Sequence, residues 1–106
     1  MGIDENILKE IVRRICRLSQ PDQIILFGSA ATEQMTSDSD IDILVLETHP
    51  NNPFGESVRI GNALRGLGFA FDVIVMATER FNESKDIIGG IAYPAHKYGK
   101  VIYAAA

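Results

Sequence analysis

Three aspartates are the residues of this sequence whose type and spacing suit chemistry. Asp40 and Asp42 open the apolar run DIDILVL, where alternate side chains of a strand would share one face. Their α-carbons would lie about 6.6 Å apart, so both carboxylates can converge on one or two hard cations such as Mg²⁺. Asp72 interrupts a second apolar run, FAFDVIVMA, where an unpaired buried carboxylate would be costly. The three acids together indicate a shared cation.

Each acid taken alone also has a purely structural interpretation. Asp40 can cap the turn formed by TSDS, and Asp72 can face water at the edge of a sheet. Between Arg17 and Arg59 the chain has no Lys or Arg but several acids. This pattern fits either a solvated surface or a metal that supplies the missing positive charge.

Other motifs with similar residues fail on spacing. An EF-hand loop beginning at Asp38 would need Gly and Glu where Ile43 and His49 stand. A Walker loop would need Lys and then Ser or Thr after its glycine, whereas Gly28 is followed by SAAT. A DxD glycosyltransferase would use the same metal chemistry but normally has a far longer chain, and it stays a remote alternative.

The hydrophobic pattern predicts a single α+β domain over residues 1–106. Apolar residues at three-and-four spacing predict a helix over 3–18 with Asp4 as its N-cap. Short apolar runs predict strands at 23–27, 40–46, 69–77 and 100–103. Further helices are predicted over 29–34, 58–67 and 84–98, with loop or turn at 36–39, 48–55 and 78–81.

Composition excludes several classes of protein. The chain is 46% hydrophobic and 23% charged, as is usual for a globular domain. Its net charge of −4, without a basic cluster, argues against binding to long nucleic acids. No apolar run reaches the length of a membrane span, and MGIDENILKE lacks the features of a signal peptide. A single cysteine fits a reducing compartment, so we expect a cytoplasmic protein.

The motifs resemble those of the minimal nucleotidyltransferases, a branch of the DNA polymerase β-like nucleotidyltransferase superfamily. Ten residues lie between the pair Gly28-Ser29 and Asp40-Ile-Asp42, and Asp72 follows on a later strand. The family patterns GSxARG, SDIDLxV and hDhhV correspond here to GSAATE, SDIDILV and FDVIV, and the C-terminal HKYGKVIY is also similar. The resemblance implies a polymerase β-like fold, a small mixed β-sheet flanked by helices.

The resemblance also implies roles for individual residues. Asp40, Asp42 and Asp72 would be the catalytic acids and would hold Mg²⁺, with two ions expected. Gly28 and Ser29 would bind the nucleotide, Gly28 by allowing close backbone approach to a phosphate. The sequence does not discriminate among the cations that could contact the triphosphate: Arg59, Arg65, Arg80 and Lys85.

Many members of this family resemble antitoxins that adenylylate a HEPN-domain toxin. The leading prediction is therefore Mg²⁺-dependent transfer of AMP from ATP to a hydroxyl of a HEPN-type partner, within a toxin–antitoxin pair. Thr32 and Glu33 replace the family Arg and Gly, which favours a second hypothesis, an antitoxin that acts by binding alone. A third is transfer to a small molecule such as an aminoglycoside, for which a homodimer would have to build the acceptor site.

Overall fold

The structure, a computed structural model of the chain, describes residues 3–28 and 40–106. In chain order its elements are α1 (Glu5–Leu18), β1 (Gln23–Phe27), β2 (Ile41–Glu47), α2 (Pro53–Ala63), β3 (Phe71–Ala77), α3 (Thr78–Ser84), α4 (Ala92–Tyr98) and β4 (Lys100–Ala104). The predicted short helix over 29–34 and the predicted turn over 36–39 lie outside the described residues.

The strands form one four-stranded mixed sheet in the order β3-β2-β1-β4. β1 pairs antiparallel with both β2 and β4, whereas β2 and β3 are parallel. Parallel neighbours need a crossover connection, and α2 supplies it. The predicted α+β class and mixed sheet flanked by helices are therefore confirmed.

Strand alternation gives the sheet two apolar faces, each covered by helices. Ile41, Ile43 and Val45 of β2 join the larger core beneath α1 and α2. Leu44 and Leu46 point the other way and pack with Phe81, Ala92 and Ala95 of α3 and α4. All five of these β2 side chains are at most 1% exposed, which explains why this strand is apolar on both faces beyond Asp42.

α1 begins where the sequence predicts, because the Asp4 carboxylate accepts a hydrogen bond from the Asn6 N–H at 2.6 Å. Arg14 ties this helix to the end of α2 by donating from Nη1 to the carbonyls of Ala63 and Arg65, both at 3.0 Å. Within the described ranges, no helix combines the length and the apolar character needed to cross a membrane.

Two helices differ from their predicted bounds for local reasons. α2 begins inside the predicted loop 48–55, since Asn52 caps it by accepting from the Gly55 N–H at 3.2 Å and Pro53 occupies its first turn. The predicted helix over 84–98 is reduced to α4, because Gly89 and Gly90 adopt positive φ angles that an α-helix excludes. α3 extends further than the predicted turn over 78–81.

Candidate active site

Gly28 and Asp42 meet at the end of the β1–β2 hairpin ladder, where Asp42 is the register partner of Phe27. Gly28 directly follows β1 with φ +72°, a left-handed conformation that favours glycine. A Cβ at this position would overlap the Asp42 Oδ2 and lie 3.3 Å from its Cγ. The absence of a side chain at Gly28 therefore leaves the space that the Asp42 carboxylate occupies.

Asp42 and Asp72 are direct partners in the parallel β2–β3 ladder. Neighbouring strands lie about 4.8 Å apart, and side chains at paired positions of a parallel ladder project from the same face. The two carboxylates share the face that carries Leu44 and Ile74, the face packed against α3 and α4. The pairing of β2 with β3 thus brings together, at one end of the sheet, two acids that are far apart in the sequence.

Asp42 is the acid on which the charges of the other two act. Asp42 is half-buried, and this burial raises the pKa of its carboxyl above the ordinary aspartate value. The negative charges of Asp72 and then of Asp40 raise that pKa further. Asp40, exposed and immediately before β2, is therefore near enough to act on Asp42.

The donor set at this end of the sheet is suited to a hard cation. Among residues 3–28 and 40–106, no three or more His, Cys, Asp or Glu side chains are already arranged around a metal position. Mg²⁺, however, is usually bound by one or two carboxylates, with waters and substrate phosphates completing its shell. A cation bound by Asp40 and Asp42 would also relieve the repulsion that raises the Asp42 pKa. The residues present fit Mg²⁺ by this chemistry.

A groove leads away from Asp72 between α2 and β3. It has a volume of about 490 Å³ and contains Asp72 and Arg65 together with two apolar side chains of α2, Phe54 and Val58. Phe54 is 80% exposed and Val58 is 48% exposed. Of the four cations left open by the sequence, Arg65 is the one that lines this groove with Asp72, whereas Arg59 lines a different cavity.

The structure places three of the five predicted site residues, Asp40, Asp42 and Asp72, on one end of the sheet, with Gly28 against Asp42. The fifth, Ser29, lies outside the described residues. Asp72 is exposed and lies on the edge strand β3, as its purely structural interpretation predicts, so it is not the buried carboxylate that the apolar run suggests. An exposed carboxylate remains accessible to a ligand.

Sequence reasoning named Asp72 and Arg65 of this groove but missed its two exposed apolar residues, Phe54 and Val58. Phe54 falls in the predicted loop, and Val58 belongs to the predicted apolar stripe of a helix, yet both are exposed. The sequence does carry a signal for them. Phe54 and Val58 are four residues apart in the helix that follows the Asn52 cap, which places both on one face of α2.

One family model and several solved structures are similar to this chain. The family model described as "Nucleotidyltransferase domain" matches residues 8–93, which include Gly28 and all three acids. No curated protein is significantly similar to the chain in sequence.

Several solved structures share the fold over most of the chain. One is the complex of a tri-AMPylated HEPN toxin with MNT antitoxin from Shewanella oneidensis, with TM-score 0.65 and 16% identity, covering 97% of this chain and 74% of the other. A toxin–antitoxin structure with AMP-PNP has TM-score 0.58 and 20% identity, covering 97% and 75%. A protein from Sulfolobus solfataricus, described as a nucleotidyltransferase, has TM-score 0.57 and 22% identity, covering 91% and 76%.

Proposed function

The chain belongs to the nucleotidyltransferase domain family, and from this premise we propose that it transfers AMP from ATP to a hydroxyl group of a HEPN-type partner, as the antitoxin of a toxin–antitoxin pair. The observation that carries the proposal is the register pairing of Asp42 with Asp72 beside Gly28. Support for the acceptor comes from the fold neighbour whose HEPN toxin is tri-AMPylated, and support for the nucleotide comes from the neighbour with AMP-PNP.

The reaction replaces a phosphoanhydride bond of ATP with a phosphoester bond to the acceptor. The acceptor oxygen forms a bond to the α-phosphorus, the bond from that phosphorus to the bridging oxygen of the β-phosphate breaks, and pyrophosphate leaves with the electron pair. We assign to the exposed carboxylate of Asp72 the role of taking the proton of the acceptor hydroxyl. Asp40 and Asp42, with Asp72, would hold Mg²⁺, which when bound neutralises charge on the phosphate oxygens.

We infer a side of the site for each substrate from the strand order. β2 lies between β1 and β3, so Asp42 stands between Gly28 on one flank and Asp72 on the other. Gly28 permits close backbone approach, which suits the triphosphate. The acceptor would then arrive from the α2 side through the groove lined by Phe54 and Val58. It would reach Asp72 around the edge strand β3, because the Asp72 carboxylate lies on the opposite face of the sheet.

The direct test is transfer of label from α-labelled ATP, with Mg²⁺, to a purified HEPN-type protein used as the candidate partner. We expect the wild-type chain to label that protein and Asp72→Asn to label it at least about 100-fold more slowly, the usual scale for losing a group that acts in the transition state. Asp86→Asn is the matched control, because this aspartate is exposed in the loop after α3. Equal labelling by Asp72→Asn and wild type would exclude the assigned role.

A second candidate function, an antitoxin that acts only by binding, is favoured by one observation. Thr32 and Glu33 stand where the family motif has Arg and Gly, so a cation expected at the triphosphate is missing. This alternative predicts that ATP with Mg²⁺ leaves the melting temperature unchanged, whereas a catalytic site that binds ATP raises it. A rise that disappears in Asp42→Asn would support the transferase.

A further inference from the structure

A second polar cavity lies at the other end of the sheet from the three aspartates. It has a volume of about 710 Å³ and includes Glu47, the last residue of β2, and Glu56 of α2. Glu47 lies five positions after Asp42, which places their α-carbons about 16 Å apart along the strand. Glu47 has the parity of Ile43 and Val45, so it faces α1 and α2, whereas Asp42 faces α3 and α4. This cavity is therefore separate from the candidate active site in both position and face.

Two buried carboxyl groups meet in this cavity. Glu47 is 8% exposed and Glu56 is 7% exposed, although acidic side chains are rarely buried to this degree without a partner. Burial, followed by the hydrogen bond and the negative charge of Glu56, raises the pKa of Glu47 to about 7. Within residues 3–28 and 40–106, no group forms a hydrogen bond with the buried Oε2 of Glu47. Such an orphaned oxygen is costly unless a ligand pairs with it.

The described residues provide no cation for this pair. The ion pairs of the described chain join Glu10 with Arg13 and Arg14, and Asp86 with His96, so neither Glu47 nor Glu56 has a basic nitrogen within 4.0 Å. Arg59 lines the cavity without making such a pair. The other titratable or charged groups lining it are Cys16, Asp22, His49 and Tyr103.

The lining favours an organic cation over a metal ion. Leu18, Pro21 and Tyr103 add apolar surface next to the carboxyl groups. A volume of several hundred Å³ fits a small molecule or an inserted side chain, and is far larger than a bare ion needs.

We propose that this cavity binds a primary ammonium group on an aliphatic stem, with the ammonium between Glu47 and Glu56 and the stem against Leu18 and Tyr103. An ammonium is a compact charge with three donors, so it can serve two carboxylates and the orphaned oxygen together, whereas the planar guanidinium fork matches a single carboxylate. The ammonium comes either from a free polyamine or from a lysine of a partner protein. The proposal does not depend on the transfer reaction.

Binding of the ammonium has a definite proton balance. In the ligand-free protein, Glu47 keeps its proton up to about pH 7. An ammonium between the two groups favours both carboxylates in ionised form, so binding at pH 7 releases this proton to the buffer. Affinity is therefore expected to rise between pH 5.5 and pH 8, and calorimetry in two buffers of different ionisation enthalpy measures the release.

The test is a calorimetric titration of the intact, ATP-free chain at pH 8 with putrescine and with Nα-acetyl-lysine methylamide. At least one probe is expected to bind, and Glu47→Gln and Glu56→Gln are each expected to weaken it at least tenfold. Cys16→Ser is the matched control, since it changes an uncharged group of the same cavity. Tighter binding of putrescine would identify a free polyamine, and tighter binding of the lysine derivative a partner's side chain.

Three results would overturn the proposal. The first is no binding of either probe to the wild-type chain at pH 8. The second is equal affinity of Glu47→Gln and wild type. The third is a Ca²⁺ or Mg²⁺ response that Glu47→Gln abolishes, with no response to the amines. If Glu47→Gln does not fold, the wild-type chain alone decides the matter, because affinity for putrescine that does not change between pH 5.5 and pH 8 contradicts the proton balance.

Discussion

At the scale of single residues, Asp42 is held in a position that favours function over stability. Burial and the charges of Asp72 and Asp40 all raise its pKa, so its ionised form is disfavoured in the folded chain. A protein without a use for this charge would be more stable with an apolar residue there, as at the neighbouring positions Ile41 and Ile43. Local instability of this kind is common at functional sites.

The first prediction concerns Asp42→Asn, which removes the charge while keeping the shape. We expect the melting temperature of the ligand-free chain to rise at pH 8, because the repulsion by Asp72 and Asp40 is relieved. Transfer of AMP should fall by at least about 100-fold. Differential scanning calorimetry and the labelling assay measure the two effects, and a fall in melting temperature would show that the carboxylate stabilises the fold.

The second prediction concerns Gly28→Ala, with Gly66→Ala as its control. Both glycines have positive φ, +72° and +91°, so both substitutions should cost about 1 kcal/mol of backbone strain. A Cβ at Gly28 would also overlap the Asp42 Oδ2. A Cβ at Gly66 would have no atom of the described residues within 4 Å, apart from its two chain neighbours. Gly28→Ala should therefore displace the Asp42 carboxylate and lower transfer at least tenfold, while Gly66→Ala transfers normally. Equal activity of the two variants would contradict this.

At the scale of elements, α2 and β3 together make the surface on which the acceptor would dock. α2 crosses over between the two parallel strands, and its exposed side chains Phe54 and Val58 lie along the same groove as Asp72. Large exposed apolar side chains are usual at sites of protein contact. The element that makes the parallel pairing possible is thus also the one that borders the candidate site.

The third prediction is that Phe54→Ala and Val58→Ala reduce transfer to the partner, by about tenfold for Phe54 given the energies typical of interface aromatic residues. Stability should change little, because both side chains are largely exposed. The ATP-induced rise in melting temperature should persist, which separates loss of the acceptor from loss of the nucleotide. Ile88→Ala, a change of an 83% exposed side chain between α3 and α4, is the control.

At the scale of the whole molecule, the two ends of β2 carry the two groups of acids, and both make the chain less stable as pH rises. Glu47 has its pKa raised to about 7 from an ordinary 4.5. Between these values the folded chain binds more protons than the unfolded chain, so stability falls as pH rises through this window. Groups with lowered pKa, such as Asp22, titrate at more acidic pH and act in the opposite direction.

The fourth prediction follows from this decrease in stability with rising pH. The free energy of unfolding should be highest near pH 5 and should decrease, on the order of 1 to 3 kcal/mol, up to pH 8. Glu47→Gln should remove most of this decrease and be the more stable protein at pH 8. Urea denaturation of both chains at several pH values measures the effect, with Glu83→Gln, an exposed acid of α3, as the control. Parallel pH profiles for wild type and Glu47→Gln would contradict the assignment.

Much of the fold could be predicted because local patterns are consistent with it. The three-and-four spacing of α1 and the apolar runs of the four strands reflect burial against one sheet, and these elements lie close to their predicted bounds. The start of α2 was missed because composition around Asn52 and Pro53 is typical of loops, although the same two residues cap and begin a helix. Motif resemblance selected Asp40, Asp42 and Asp72 by type and spacing.

The sequence by itself determined which residues are acidic, which runs are apolar and which acids match a family motif. Only the tertiary structure decided that Asp42 and Asp72 are register partners, since strand pairing depends on contacts thirty residues apart. It likewise decided that Glu47 of β2 and Glu56 of α2 meet in one cavity. The physical reason is the same for both pairs: local patterns indicate which face of an element is buried, whereas packing of the elements decides which side chains meet.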